Sequence, residues 1–125
     1  MSRRLIALLA ALSAALLLLG PTGVAAAATV KVSSNITIHY KSSAFGGHVS
    51  SSRSSCVKGR TVKLYRDRKG PDFVVGTTLT NSNGHWKVPD PGAKGRFYAQ
   101  AARRQMQKGN DTIVCKAATS PTIKV

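Results

Sequence analysis

The sequence predicts an all-β protein, an antiparallel β-sandwich of about seven strands behind a cleavable signal peptide. Three observations carry this. Beyond residue 28 the apolar residues alternate with polar ones in short runs, the period of two expected of strands with one buried face. Clusters of Gly, Pro, Asn, Asp and Ser cut these runs into pieces of strand length. No segment past the leader sustains the 3.6-residue period of an amphipathic helix.

The first 28 residues read as a leader. Arg3 and Arg4 precede an apolar run from Leu5 to Leu19 broken only by Ser13; Gly20-Pro21 ends it, and Ala26-Ala27-Ala28 offers small residues to a signal peptidase. The 15-residue run is short of the roughly 20 residues that span a bilayer, so export with cleavage after Ala28 is expected, with no stable membrane span afterwards. Residues 29–125 then form one small domain, secreted or extracellular. Residues 25 to 32 read as a short leader into it.

The strands follow in order. Ile36, Ile38 and Tyr40 share one parity against Thr37 and His39, and Phe45, Gly47 and Val49 repeat it. Ser50 to Ser55, carrying Arg53, is a Ser-rich loop. Val62 and Leu64 alternate with Lys63 and Tyr65. Lys69-Gly70-Pro71-Asp72 is a turn, and Val75, Thr77 and Leu79 lie on one face of the next strand. Asn81-Ser82-Asn83-Gly84 carries the Asn-Gly mark of a hairpin. Trp86 and Val88 face in, with His85 and Lys87 out, until Pro89-Asp90-Pro91-Gly92 breaks the chain. Phe97, Ala99 and Ala101 form the next inward row. The strand ends near Arg103-Arg104, although Ala99 to Met106 is rich in helix formers. Gln105 to Asp111 reads as a polar loop, Ile113, Cys115 and Ala117 as a strand, and Ile123 with Val125 as the last one.

A domain this small buries a limited core and gains from a cross-link. Cys56 and Cys115 are the only cysteines, and in an exported chain the pair is most simply one disulfide. It closes a loop of about 60 residues, which the chain-entropy model values at about 4 kcal/mol. No Cys-x-x-Cys or Cys–His spacing points to zinc.

The charge is one-sided. Without Arg3 and Arg4 the chain holds 17 cationic residues against Asp67, Asp72, Asp90 and Asp111, with no Glu, for a net charge of +13. Such a field attracts polyanions, including nucleic acid, glycans and acidic cell-envelope polymers, and it also keeps a secreted protein soluble. The densest clusters, Arg66, Arg68 and Lys69 together with Arg103 and Arg104, are the candidate anion-binding residues; at one end of the sandwich they would form a single rim. Tyr65 and Tyr98 fall on the parity opposite their apolar neighbours and are the candidate exposed aromatics, whereas Trp86 reads as core.

Little in the chain suggests chemistry. His39, His48 and His85 sit on the polar faces of different strands or beside a Gly turn, an arrangement that gives a metal site only if they converge. Four Asp in turns or loops offer no paired carboxylates, and there is no Gly-x-Ser-x-Gly elbow. Neither an enzymatic activity nor a catalytic residue, small-molecule substrate, metal or cofactor is expected. Asn35-Ile36-Thr37 and Asn110-Asp111-Thr112 match glycosylation sequons.

The segments Gly59-Arg60-Thr61-Val62-Lys63-Leu64-Tyr65-Arg66, Val75-Gly76-Thr77-Thr78-Leu79-Thr80, Gly84-His85-Trp86-Lys87-Val88 and Gly95-Arg96-Phe97-Tyr98-Ala99 together resemble a transthyretin-like or carboxypeptidase-regulatory-like domain. The likeness spans roughly residues 34 to 125. It implies a prealbumin-type, immunoglobulin-like sandwich, and its motif of turn glycines and core alternation reports fold rather than activity. The chain is also similar to small exported bacterial proteins with a Cys-x-x-Gly-Arg opening, here Cys56 to Arg60. The hydrolase branch of the transthyretin family depends on a C-terminal Tyr-Arg-Gly-Ser, whereas this chain ends Pro121-Thr122-Ile123-Lys124-Val125, so a hydrolase is the remotest reading. The leading expectation is a non-enzymatic module with a structural or interaction role outside the cell. The alternative is a cationic polyanion binder, with an envelope polymer or a surface protein as candidate partner.

Overall fold

The computed structural model describes residues 26–125, and these are almost entirely β. The cationic start and apolar run of the expected leader lie outside the described residues. No helix among the described residues is long and apolar enough to cross a membrane.

Twelve short strands build three sheets: β1 (Thr29–Val32), β2 (Ser34–Ile36), β3 (His39–Lys41), β4 (Ala44–Ser51), β5 (Thr61–Asp67), β6 (Phe73–Leu79), β7 (His85–Pro89), β8 (Arg96–Ala101), β9 (Arg104–Lys108), β10 (Asp111–Cys115), β11 (Ala118–Thr119) and β12 (Ile123–Lys124). The strand count exceeds the expected seven because several strands are interrupted. β2 and β3, for example, both pair with β4 and are separated only by Thr37 and Ile38.

Two sheets form the sandwich. One has the order β11–β8–β5–β6, with β12 also on β8; the other has β2–β4–β3, with β7 on β4. Their facing rows meet as the sequence alternation requires. Val62, Leu64, Phe97, Ala99 and Ala101 come from the first sheet, and Ile36, Phe45, Val49, Trp86 and Val88 from the second. Phe45 and Phe97 touch across the gap with ring centroids 4.5 Å apart. Each of these large apolar side chains contributes about 1.5–3 kcal/mol by leaving water. Trp86 is buried, and its indole N–H donates to the Thr37 carbonyl at 3.3 Å, so its polar atom is satisfied inside the core.

The third sheet, β1–β10–β9, lies at the disulfide end. β1 runs parallel to β10 from Thr29, so residues 29–32 are a paired strand rather than a leader. Val32, Cys56, Ile113 and Cys115 make a second, smaller core, in which the Cys56–Cys115 disulfide forms at a Cα separation of 5.5 Å.

Four further expectations are corrected. Asn81 to Gly84 is a tight turn, but β6 and β7 belong to different sheets, so it carries the chain from one layer to the other and joins no hairpin. Val75, Thr77 and Leu79 do not share a face. Leu64 pairs with Gly76 and Tyr65 with Val74, so Val75 is an extra bulged residue; it packs against the core while Thr77 and Leu79 are exposed. Residues 104–108 are a strand, β9, paired with β10. The segment is polar because it lies at a sheet edge, where charged side chains discourage further pairing. In β10, Ile113, Val114 and Cys115 are all buried, and Ala117 is exposed beyond the strand.

Candidate functional site

The two basic clusters lie at opposite ends of the sandwich. β5 runs from Thr61 to Asp67, and β8 returns from Arg96 to Ala101 beside it, which puts Arg66, Arg68 and Lys69 at one end and Arg103 and Arg104 at the other. They do not form one rim.

The first end mixes both signs of charge. Asp67 pairs with Arg96 at 3.6 Å. Arg68 donates through Nε to the Pro71 carbonyl at 3.1 Å and lies over the Phe73 ring, 5.3 Å from its centroid. The Arg68 amide also reaches the Asp72 carboxylate. The depression here, lined by Arg66 and Lys94, includes Asp90.

Tyr65 and Tyr98 are cross-strand partners on the outer face of the same sheet. Both are half-buried and stack on each other, with centroids 5.1 Å apart and planes 13° off parallel. Each ring is therefore covered on one face by the other. The Tyr98 hydroxyl donates to Asp72, and this bond, followed by burial and by the nearby charges, pushes its pKa up to about 12.

The disulfide end is different. After β4 the chain makes a 3₁₀ turn, Ser54–Cys56, which the disulfide ties to Cys115 on β10. Cys115 stands opposite Arg104 in the β9–β10 ladder. The Arg104 side chain comes back over this turn, where its Nη1 donates to the Lys58 carbonyl at 2.7 Å. Gly59, at φ +64°, reverses the chain between Lys58 and Arg60, a conformation that glycine adopts without strain.

Sequence reasoning missed Arg53, Lys58 and Lys108, and above all Arg60. It is fully buried. Its Nη1 donates to the Cys56 carbonyl and to Ser34 Oγ, both at 2.8 Å, and its Nη2 to the carbonyls of Ala102 at 2.8 Å and Lys116 at 3.1 Å. Its Nε has no hydrogen-bond partner among the described residues. All four acceptors are neutral, so the guanidinium is a buried cation with no carboxylate bonded to it. Burial first, and Arg104 second, lower its pKa, but a guanidinium remains charged at neutral pH. The available signal was the Cys-x-x-Gly-Arg spacing, which the turn at Gly59 converts into contact between Arg60 and Cys56.

Two open depressions meet at this end. One, of about 500 Å³, is lined by Ser54, Ser55, Lys58, Gly59, Ser82 and Arg104. The other, of about 420 Å³, is lined by Arg53, Lys108, Met106 and Gln107 and shares Ser54 and Ser55 with the first. Four cations and several hydroxyls line the pair, and no carboxylate or aromatic ring does. Arg103 lies outside both, its Nη2 bonded to Gln105 Oε1 at 3.0 Å.

The three histidines occupy one sheet. His48 on β4 and His85 on β7 are cross-strand neighbours with ring centroids 4.9 Å apart, and His39 on β3 pairs with Gly46. His48 Nε2 lies 2.7 Å from the Asn83 carbonyl, so that nitrogen carries the proton donated to it. No group of three or more His, Cys, Asp or Glu among the described residues is placed to hold a metal ion. No protein-family model matches the chain, and neither a curated protein nor a solved structure matches it.

Proposed function

We propose that the chain is an exported, non-enzymatic β-sandwich module that works by interaction, binding anionic polymers outside the cell through its disulfide end. The observation that carries this reading is the segregation of charge. Three of the four aspartates, Asp67, Asp72 and Asp90, gather at the far end, and the fourth, Asp111, stands opposite Lys108 in the β9–β10 ladder; the depressions beside the disulfide are lined by Arg53, Lys58, Arg104 and Lys108 with no acid in their lining. The uncompensated guanidinium of Arg60 beneath adds to the same field, and low-dielectric walls focus it. A transthyretin-like or carboxypeptidase-regulatory-like domain over residues 34 to 125 is part of the proposal, supported by the packing of two sheets over one core.

Retention of the oxidised protein on heparin, DNA and cell-wall polymer columns tests the reading. Binding should persist at about 0.15 M salt and then fall steeply as salt is raised, because cation–phosphate contacts release condensed counterions. Negligible retention at that salt on all three columns overturns it.

A protein partner is a second reading, favoured by the exposed apolar side chains of the edge strand β6. Phe73, Val74 and Leu79 are 52%, 43% and 63% exposed. Size-exclusion chromatography over a concentration series, with Leu79→Lys beside the parent chain, tests self-association along this edge.

A further inference from the structure

Resting on the polyanion reading above, we propose that the Ser54–Ser55 turn is a shared wall between two adjacent anion seats, so that the ligand is a linear polymer bearing repeated phosphate or sulfate groups and no aromatic units. Each seat holds two cations of its own, Lys58 with Arg104 on one side and Arg53 with Lys108 on the other. Ser54 and Ser55 face both depressions, and their hydroxyls can donate to an oxyanion in either. A single small anion occupies one seat. A chain with an anion on successive units fills both, and the second contact is then intramolecular, which raises avidity without any new interaction.

The site is held in place before any ligand arrives. The Arg104 guanidinium is oriented by the Lys58 carbonyl, and no other hydrogen bond to it occurs among the described residues, which leaves donors for a bidentate contact with phosphate or sulfate. The disulfide fixes the turn that carries the serines against β10, and Arg60 binds the Cys56 carbonyl of the same turn. Single-stranded nucleic acid is the less suitable polymer. Sequence-tolerant binding of bases uses aromatic platforms, and no aromatic residue lines either seat. Tyr65 and Tyr98 stack on each other on the outer face of the β5–β8 sheet instead.

The test uses the intact oxidised chain and calorimetric titration with inorganic phosphate, tripolyphosphate, long-chain polyphosphate, dextran sulfate and single-stranded oligothymidylate of matched charge. Affinity per chain should rise at least tenfold from phosphate to the long polymer. Arg53→Ala with Lys108→Ala, and separately Lys58→Ala with Arg104→Ala, should each remove that gain and lower the slope of log affinity against log salt by about 1 to 2. The control pair Lys63→Ala with Lys124→Ala removes the same charge away from the seats and should leave the length dependence intact. Equal losses from all three pairs mean diffuse charge attraction: they overturn the two-seat site while leaving polyanion binding standing. Tighter binding of the oligothymidylate than of either non-aromatic polymer overturns the ligand class. No binding of any probe removes both this inference and the reading beneath it. Comparison of polyphosphate with dextran sulfate separates the phosphate source from the sulfate source.

Discussion

Arg60 Nη2 donates to the carbonyl of Lys116 at 3.1 Å across 56 residues of sequence. With the bonds to Ser34, Cys56 and Ala102, this makes one guanidinium the junction of the β2 start, the disulfide turn, the corner between β8 and β9, and the chain leaving β10. Removing it leaves several buried acceptors unpaired, and such groups carry their full desolvation penalty. Arg60→Met, which keeps most of the volume, should destabilise the fold by about 3 kcal/mol or more. Urea unfolding followed by Trp86 fluorescence measures it. A loss under 1 kcal/mol would show that water or chain relaxation satisfies those carbonyls.

The disulfide constrains the same corner from the other side. Cys56 and Cys115 are 59 residues apart, and closing a loop of that length restricts the unfolded chain by about 4 kcal/mol in the entropy model. Reduction should therefore lower stability by about 2–5 kcal/mol. Identical melting of verified oxidised and reduced protein would contradict this. Reduction should also weaken polyanion binding more than it weakens packing of the main core, because the serine turn belongs to the disulfide end.

Much of the sandwich could be read from local alternation. Trp86 and Val88 are buried between exposed His85 and Lys87, as a strand with one wet face requires. Alternation misled where register changed: the bulge at Val75 moved Thr77 and Leu79 to the outside, and its one mark in Val-Gly-Thr-Thr-Leu is Gly76, an isolated glycine inside a strand, to which a count of alternating residues is blind. It was silent on residues 104–108, an edge strand in which only Met106 is half-buried. The candidate site was hidden for another reason. Its cations come from residues 53–58 and 104–108, which the disulfide, the β9–β10 pairing and the Arg104–Lys58 bond bring together. Density of charge along the sequence pointed to Arg66, Arg68 and Lys69, which fold beside aspartates, and to Arg103 and Arg104, of which Arg104 lines the site.

Gly47 is fixed by close approach between strands. A Cβ there would sit 1.9 Å from the Thr37 carbonyl oxygen and 2.7 Å from Trp86 Nε1, atoms already bonded to each other. Neither can move without opening the β2–β4 pairing or the indole's packing. Gly47→Ala should cost about 2–3 kcal/mol or more. At Gly46 the nearest atoms are the His39 ring nitrogen at 3.1 Å, on a movable side chain, and the Trp86 carbonyl oxygen at 3.2 Å; both lie farther off than the atoms facing Gly47, so Gly46→Ala should cost less. Equal midpoints for the two variants in thermal unfolding would refute the steric account.

The Tyr98–Asp72 bond ties the turn before β6 to the outer face of the sheet, and it sets a pH dependence. The hydrogen bond to Asp72 is the first cause of the raised Tyr98 pKa, about 12 against an ordinary 10.0. The folded state therefore holds this proton more tightly than the unfolded state does. Its stabilising contribution is complete below pH 10 and is lost as pH rises towards 12, so stability should fall across that window. Spectrophotometric titration at the phenolate band should show one tyrosine ionising near pH 12. Tyr98→Phe should abolish that late phase, and Asp72→Asn should shift it to lower pH. If the late phase survives in Tyr98→Phe, the assignment is wrong. If Asp72→Asn leaves it in place, burial rather than the hydrogen bond controls the proton.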